Sequence, residues 1–90
     1  MNALQLLEKK HNHVRMRESL RVRIEILRRH LSDEESRPPG AQIDFVVRQV
    51  WGSTTMILEQ ARPIFADEPE TVALLDEVET LNNRLGRLIS

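Results

Sequence analysis

The sequence predicts an all-α protein built as a three-helix bundle, and three observations predict it. Aromatic residues make up only 3% of the 90 positions, with no Tyr. The core must therefore come from Leu, Ile, Val and Ala, which suits helix packing better than a β-sandwich. Three Gly and four Pro supply few tight turns, against an all-β fold. Two breaker clusters, Ser32–Gly40 with its consecutive prolines and Arg62–Pro69, cut the chain into three segments, because proline disfavours the α region at the residue before it. The expected helices lie near 2–31, 41–62 and 68–89, in one domain spanning 1–90. Helices 2 and 3 should form an antiparallel hairpin against part of a long first helix, the whole completed by dimerisation.

Helix 1 starts on a capping box, Asn2 with Gln5, and lacks Gly and Pro throughout. Met16, Leu20, Ile24, Leu27 and Leu31 make one stripe, while Val22 and Ile26 project from nearly the opposite side. At about 45 Å the helix is longer than either neighbour. Apolar residues on two faces predict one face for its own chain and another for a second chain. Val22 and Ile26, with Leu20, Ile24 and Trp51, are the candidate partner or dimer contacts.

Ser19–Ile26 also alternates strictly between polar and apolar residues, and three of its apolar residues are β-branched, a strand pattern. A strand followed by two helices, with Arg21 and Arg23 facing outward, resembles the ribbon-helix-helix DNA-binding plan. That resemblance covers this octapeptide and the order of elements, and it implies a dimeric DNA-binding regulator. The stretch Arg28–Ala41 departs from the very short turn of that plan.

Helix 2 carries Ile43, Val46, Val47, Val50, Thr54, Ile57, Leu58 and Ala61 on one face. Its middle, Gly52-Ser53-Thr54-Thr55, consists of poor helix formers, which predicts a close helix crossing there, the alternative being a kink. Trp51 sits just off the stripe and is expected to be half-buried. In helix 3, Thr71, Leu74, Val78, Leu81, Leu85 and Leu88 form a coiled-coil-like heptad seam, widened by Leu75 and Ile89. Asp67 with Glu70 resembles a capping box, Pro69 falls in the first turn, and Arg84 and Arg87 suit the dipole at the far end.

Charge is uneven along the chain. Residues 1–31 hold eight Lys and Arg against three acidic residues, whereas the remainder holds five against eleven. Arg15, Arg17, Arg21, Arg23, Arg28 and Arg29 therefore meet either a polyanion or the acidic set Asp67, Glu68, Glu70, Asp76, Glu77 and Glu79. No aromatic residue within 1–31 offers base stacking, so intrachain or protein contacts are the first expectation and DNA or RNA binding the alternative.

Little in the sequence points to catalysis. Without Cys there is no disulfide framework, thiolate nucleophile or Cys-ligated zinc. His11 and His13 point roughly 200° apart on a helix, so both are expected to be solvated, not to share a metal. His13-Val14-Arg15 on a helix resembles the phosphoacceptor segment of dimeric histidine kinases and phosphotransferases, but no ATP-binding motif accompanies it. Asp76, Glu77 and Glu79 lie on a polar face with nothing apolar to raise a pKa. No leader-like segment opens the chain, and no apolar run reaches the roughly 20 residues of a membrane helix. The expectation is a cytoplasmic, non-catalytic interaction module, a regulator, adaptor or chaperone-like subunit. It should use no cofactor or metal, and its partner should be itself or another protein. In the helical reading, Glu at Val22 and Ile26 should damage assembly, and Glu at Leu20 and Ile24 the fold.

Overall fold

In a computed structural model describing residues 2–38, 40 and 45–89, the chain forms three helices: α1 (Ala3–Glu35), α2 (Phe45–Ile64) and α3 (Pro69–Ile89). Among the described residues there is no strand. The expected start of helix 2 at 41, with Ile43, lies outside the described residues.

The capping box opens α1 as the sequence predicts. Asn2 Oδ1 accepts from Gln5 N–H at 2.8 Å, and Gln5 Oε1 accepts from Asn2 N–H at 3.0 Å. Ser19–Ile26 is helical, which overturns the strand alternative and with it the ribbon-helix-helix plan. Leu20, Ile24, Leu27 and Leu31 are all buried, as a 3.6-residue period requires and a two-residue period forbids. A lone strand would also have left an unpaired edge in a helical chain. The helix outlasts its expected end at 31, because Ser32–Glu35 are compatible with helix and the proline restriction first bites at Arg37. Ser36 closes it, its hydroxyl donating to the Ser32 carbonyl at 2.9 Å.

Ion pairs set the helix directions. Arg17 donates to Glu68 at 2.9 Å, Arg28 to Glu77 at 2.6 Å and Arg84 to Glu35 at 2.6 Å, so α1 and α3 run parallel. Arg62 of α2 reaches Asp76 at 3.0 Å and also Glu79, while Asn82 Nδ2 donates to the Trp51 carbonyl at 3.3 Å. These pairings run α2 antiparallel to α3. Both α1 and α2 pack mainly on α3, and they touch each other far less. Burial opposes the charged form of Arg62, but the hydrogen bonds and negative charge of Asp76 and Glu79 outweigh it and raise its pKa.

The core joins Leu20, Ile24, Leu27 and Leu31 of α1 to Val47, Leu58 and Ala61 of α2 and to Leu75, Val78, Leu81, Leu85 and Ile89 of α3, with Phe65 closing one end. α3 is rotated slightly from the expected seam: Leu75 and Ile89 are buried, whereas Leu74 is half-buried and Leu88 is 39% exposed. Asn82 is buried within the same stripe. In α2, Val46 is exposed instead of buried, and the helix continues through Pro63 to Ile64. A proline in the last turn removes only one backbone bond. α3 begins at Pro69 with the Glu68 carbonyl accepting from Val72 N–H at 2.9 Å, so Asp67 stands one residue outside the expected cap.

The weak middle of α2 is not a close crossing at Gly52. A methyl group there would meet nothing within 4 Å. The hydroxyls fold back on their own helix: Ser53 and Thr54 donate to the Val50 carbonyl and Thr55 to the Trp51 carbonyl, at 3.2, 2.7 and 3.0 Å. The close approach lies instead at Gly86, where a Cβ would fall 2.6 Å from Trp51 Nε1. Gly52→Ala is therefore expected to raise the unfolding midpoint, by about 0.5–1 kcal/mol of stability. Gly86→Ala should bring no such gain and should red-shift the emission of Trp51, the sole tryptophan, as the indole is pushed outward. Thermal unfolding and fluorescence spectra of the two variants check both expectations.

Candidate association surface

Heptad steps along α1 place Leu6, His13, Leu20, Leu27 and Glu34 on one line. Only the part of that line opposite α3 is covered. Arg28 is level with Glu77, which puts the start of α3 level with about Leu20. The earlier turns of α1 extend past α3 by roughly 25 Å at 1.5 Å per residue. The molecule measures 57 × 20 × 18 Å with a radius of gyration of 15.6 Å, against about 12 Å for a compact domain of this length. The extension carries Leu4, Leu6 and Leu7, which are 65%, 55% and 65% exposed.

The turn between α2 and α3 braces the root of this extension. His13 Nδ1 lies 3.2 Å from Glu68 Oε2, and its ring meets Phe65 edge-on with centroids 5.4 Å apart. Arg17 Nη1 reaches the same Glu68 carboxylate and, at 3.6 Å, Glu70; Lys9 lies 3.8 Å from Asp67. His13 is thus half-buried and structural, not the solvated histidine that the sequence predicts. The signal was its place seven residues before Leu20, on the core line. A cleft of about 740 Å³ opens where the extension meets the hairpin, with Glu8, Asn12, Met16, Ile64 and Phe65 in its walls.

The expected contact residues divide sharply. Leu20 and Ile24 are 1% and 5% exposed, within the core of their own chain, and so are withdrawn from the candidate surface. Val22 is 58% exposed, and Ile26 is half-buried on the flank of the helix. Trp51 lies on the opposite edge of the molecule, between α2 and α3, against Gly86. Leu4, Leu7, Val14 and Val22, all exposed, share the side of α1 turned away from both other helices. The outward leucines near the amino end carry a weaker sequence signal, because His11 and Glu18 interrupt the stripe that they begin.

The arginines divide too. Arg17 and Arg28 pair with α3, and Arg23 donates to Ser53 Oγ at 3.4 Å. Arg15, Arg21 and Arg29 are exposed and make no ion pair among the described residues. The carboxylates once considered together also have separate partners, Arg28 for Glu77 and Arg62 for Asp76 and Glu79. Among the described residues no cluster of three or more His, Asp or Glu could hold a metal ion, and no helix is long and apolar enough to cross a membrane.

Comparison with protein-family models, with curated proteins and with solved structures yields no match to this chain. Its geometry alone carries the functional reading.

Proposed function

We propose that this chain is a non-catalytic protein–protein interaction module, a regulator, adaptor or chaperone-like subunit, that associates through the outer face of α1. One observation carries the reading. Leu4, Leu7, Val14 and Val22 are exposed along one side of a helix whose opposite side already fills the core. A helix that supplies apolar residues to two faces has a use for both. The titratable groups support the same reading: Glu68, Asp76, Glu77 and Glu79 are occupied by arginines in ion pairs that hold the helices together.

Light scattering on the eluting protein tests this against the chain mass of 10.5 kDa. An assembly larger than one chain, weakened by Leu7→Glu with Val22→Glu at unchanged helicity, is expected. A species of single-chain mass at every concentration would contradict self-association. Random duplex DNA should show no binding at physiological salt. Sub-micromolar affinity falling steeply with added salt would instead mark Arg15, Arg21 and Arg29 as a polyanion surface.

A further inference from the structure

We propose that α2 pairs antiparallel with α2 of a second copy of this chain, the two helices crossing at Gly52 about a two-fold axis. The surface is separate from the outer face of α1, and the inference does not rest on that reading. Phe45, Gly52, Met56 and Pro63 fall within about 40° of one another around the helix. They lie on the side of α2 turned away from its buried residues Val47, Thr54, Leu58 and Ala61. Phe45 and Met56 are 69% and 58% exposed, and Pro63 is exposed as well. Gly52 weakens the middle of α2, and no contact within its own chain requires it. A glycine between large apolar residues instead admits a second helix backbone at close range.

Charge selects the occupant. Arg48 and Glu59 lie on one and the same flank of this stripe, roughly 50° from its centre. Both are exposed, and neither enters an ion pair among the described residues. Standing about 16 Å apart along the helix, they do not meet within one chain. The two-fold axis of an antiparallel pair lays each flank on its own counterpart and reverses its direction. Arg48 of each copy therefore stands beside Glu59 of the other, offset by about 4.5 Å, within reach of an arginine. The contact occurs twice. With the same axis, Phe45 of each copy enters between Met56 and Pro63 of the other, so the apolar residues cover one another. The other flank of α2 presents Gln49 and Gln60, both uncharged. Arg23 of α1 reaches Ser53 at 3.4 Å, a quarter-turn from the stripe and beside the contact.

Other alignments lose the match. A parallel pair sets the charged flank of each copy against the uncharged flank of the other, so neither charge finds an opposite. Moving the antiparallel axis one turn, to Arg48, sets arginine against arginine. Moving it two turns the other way, to Glu59, sets glutamate against glutamate. Apolar stripe and charged flank thus share one centre, which is what a self-complementary surface requires.

Charge exchange tests the pairing, with Leu7→Glu and Val22→Glu in place so that α1 does not contribute. Light scattering over a dilution series should give this background a two-chain mass at high concentration. Adding Arg48→Glu, or separately Glu59→Arg, makes both contacts repulsive and should weaken pairing roughly tenfold. An equal mixture of those two variants should recover it, because both contacts of the mixed pair then join opposite charges. Gly52→Leu adds apolar surface yet should also weaken pairing, because a side chain at the crossing forces the helices apart. Far-UV circular dichroism checks that each variant keeps its helices. Charge variants that pair as well as their background, or a mixture no tighter than its parts, would overturn the register. Tighter association of Gly52→Leu would reveal an unspecific apolar patch and overturn the crossing. A background of single-chain mass at every concentration would overturn the pairing of α2 and leave the reading of α1 to its own test.

Discussion

Leu20→Glu combined with Ile24→Glu is expected to unfold the chain outright. Both side chains lie in the core against α3. Placing a carboxylate there costs several kcal/mol each unless it becomes protonated or the site opens to water. Total stability for a domain of this size is about 5–13 kcal/mol, so two such groups exceed or exhaust it. Far-UV circular dichroism should show the helical signal lost at neutral pH. The matched control is Leu7→Glu with Val22→Glu, two exposed positions, which should retain the helical signal. Equal collapse of both variants would mean that folding and assembly are obligately coupled.

Leu75→Ala is expected to destabilise the chain by about 2–5 kcal/mol, the usual range for truncating a fully buried leucine. Leu75 is 0% exposed, and cavities left at such sites collapse only partly. Leu88→Ala should cost less than about 1 kcal/mol, because at 39% exposure much of its side chain is already in water. Denaturant midpoints of the two variants separate the observed stripe of α3 from the strict heptad seam. The seam would rank Leu88 above Leu75.

That contrast shows where the sequence was legible and where it was not. The three helices, the Asn2–Gln5 cap, the α1 stripe and the pairing of Arg17 and Arg28 with acidic residues of α3 all follow from spacing and charge. The rotation of α3 does not. Leu74 and Leu75 are adjacent and equally apolar, and Leu75 shares its face with Asn82, two turns further on, which is also buried. Asn82 is buried because its amide donates to the Trp51 carbonyl and, at 3.1 Å, to Thr55 Oγ1. Such a tertiary hydrogen bond leaves no periodic trace. Gly52 misled for a related reason: the contacts of this stretch fall on Ser53, Thr54 and Thr55, which meet Arg23, the core and Asn82, and not on the glycine itself. At the candidate surface, Val22 stood out because it opposes the stripe. Leu6 became informative only once the offset of α3 left it uncovered, and Leu4 and Leu7 only once both other helices were placed on the opposite side of α1.

Amide hydrogen exchange along α1, read by mass spectrometry in dilute and in concentrated protein, tests most directly whether the outer face is an association surface. The amino-terminal turns have little intrachain cover and should open at low free-energy cost when the chain is alone. The account predicts fast exchange over residues 3–14 in dilute protein and marked slowing on concentration. Residues 27–31, held by Leu27 and Leu31 in the core, should change far less. Identical exchange over residues 3–14 at both concentrations, with the mass of a single chain throughout, would contradict it.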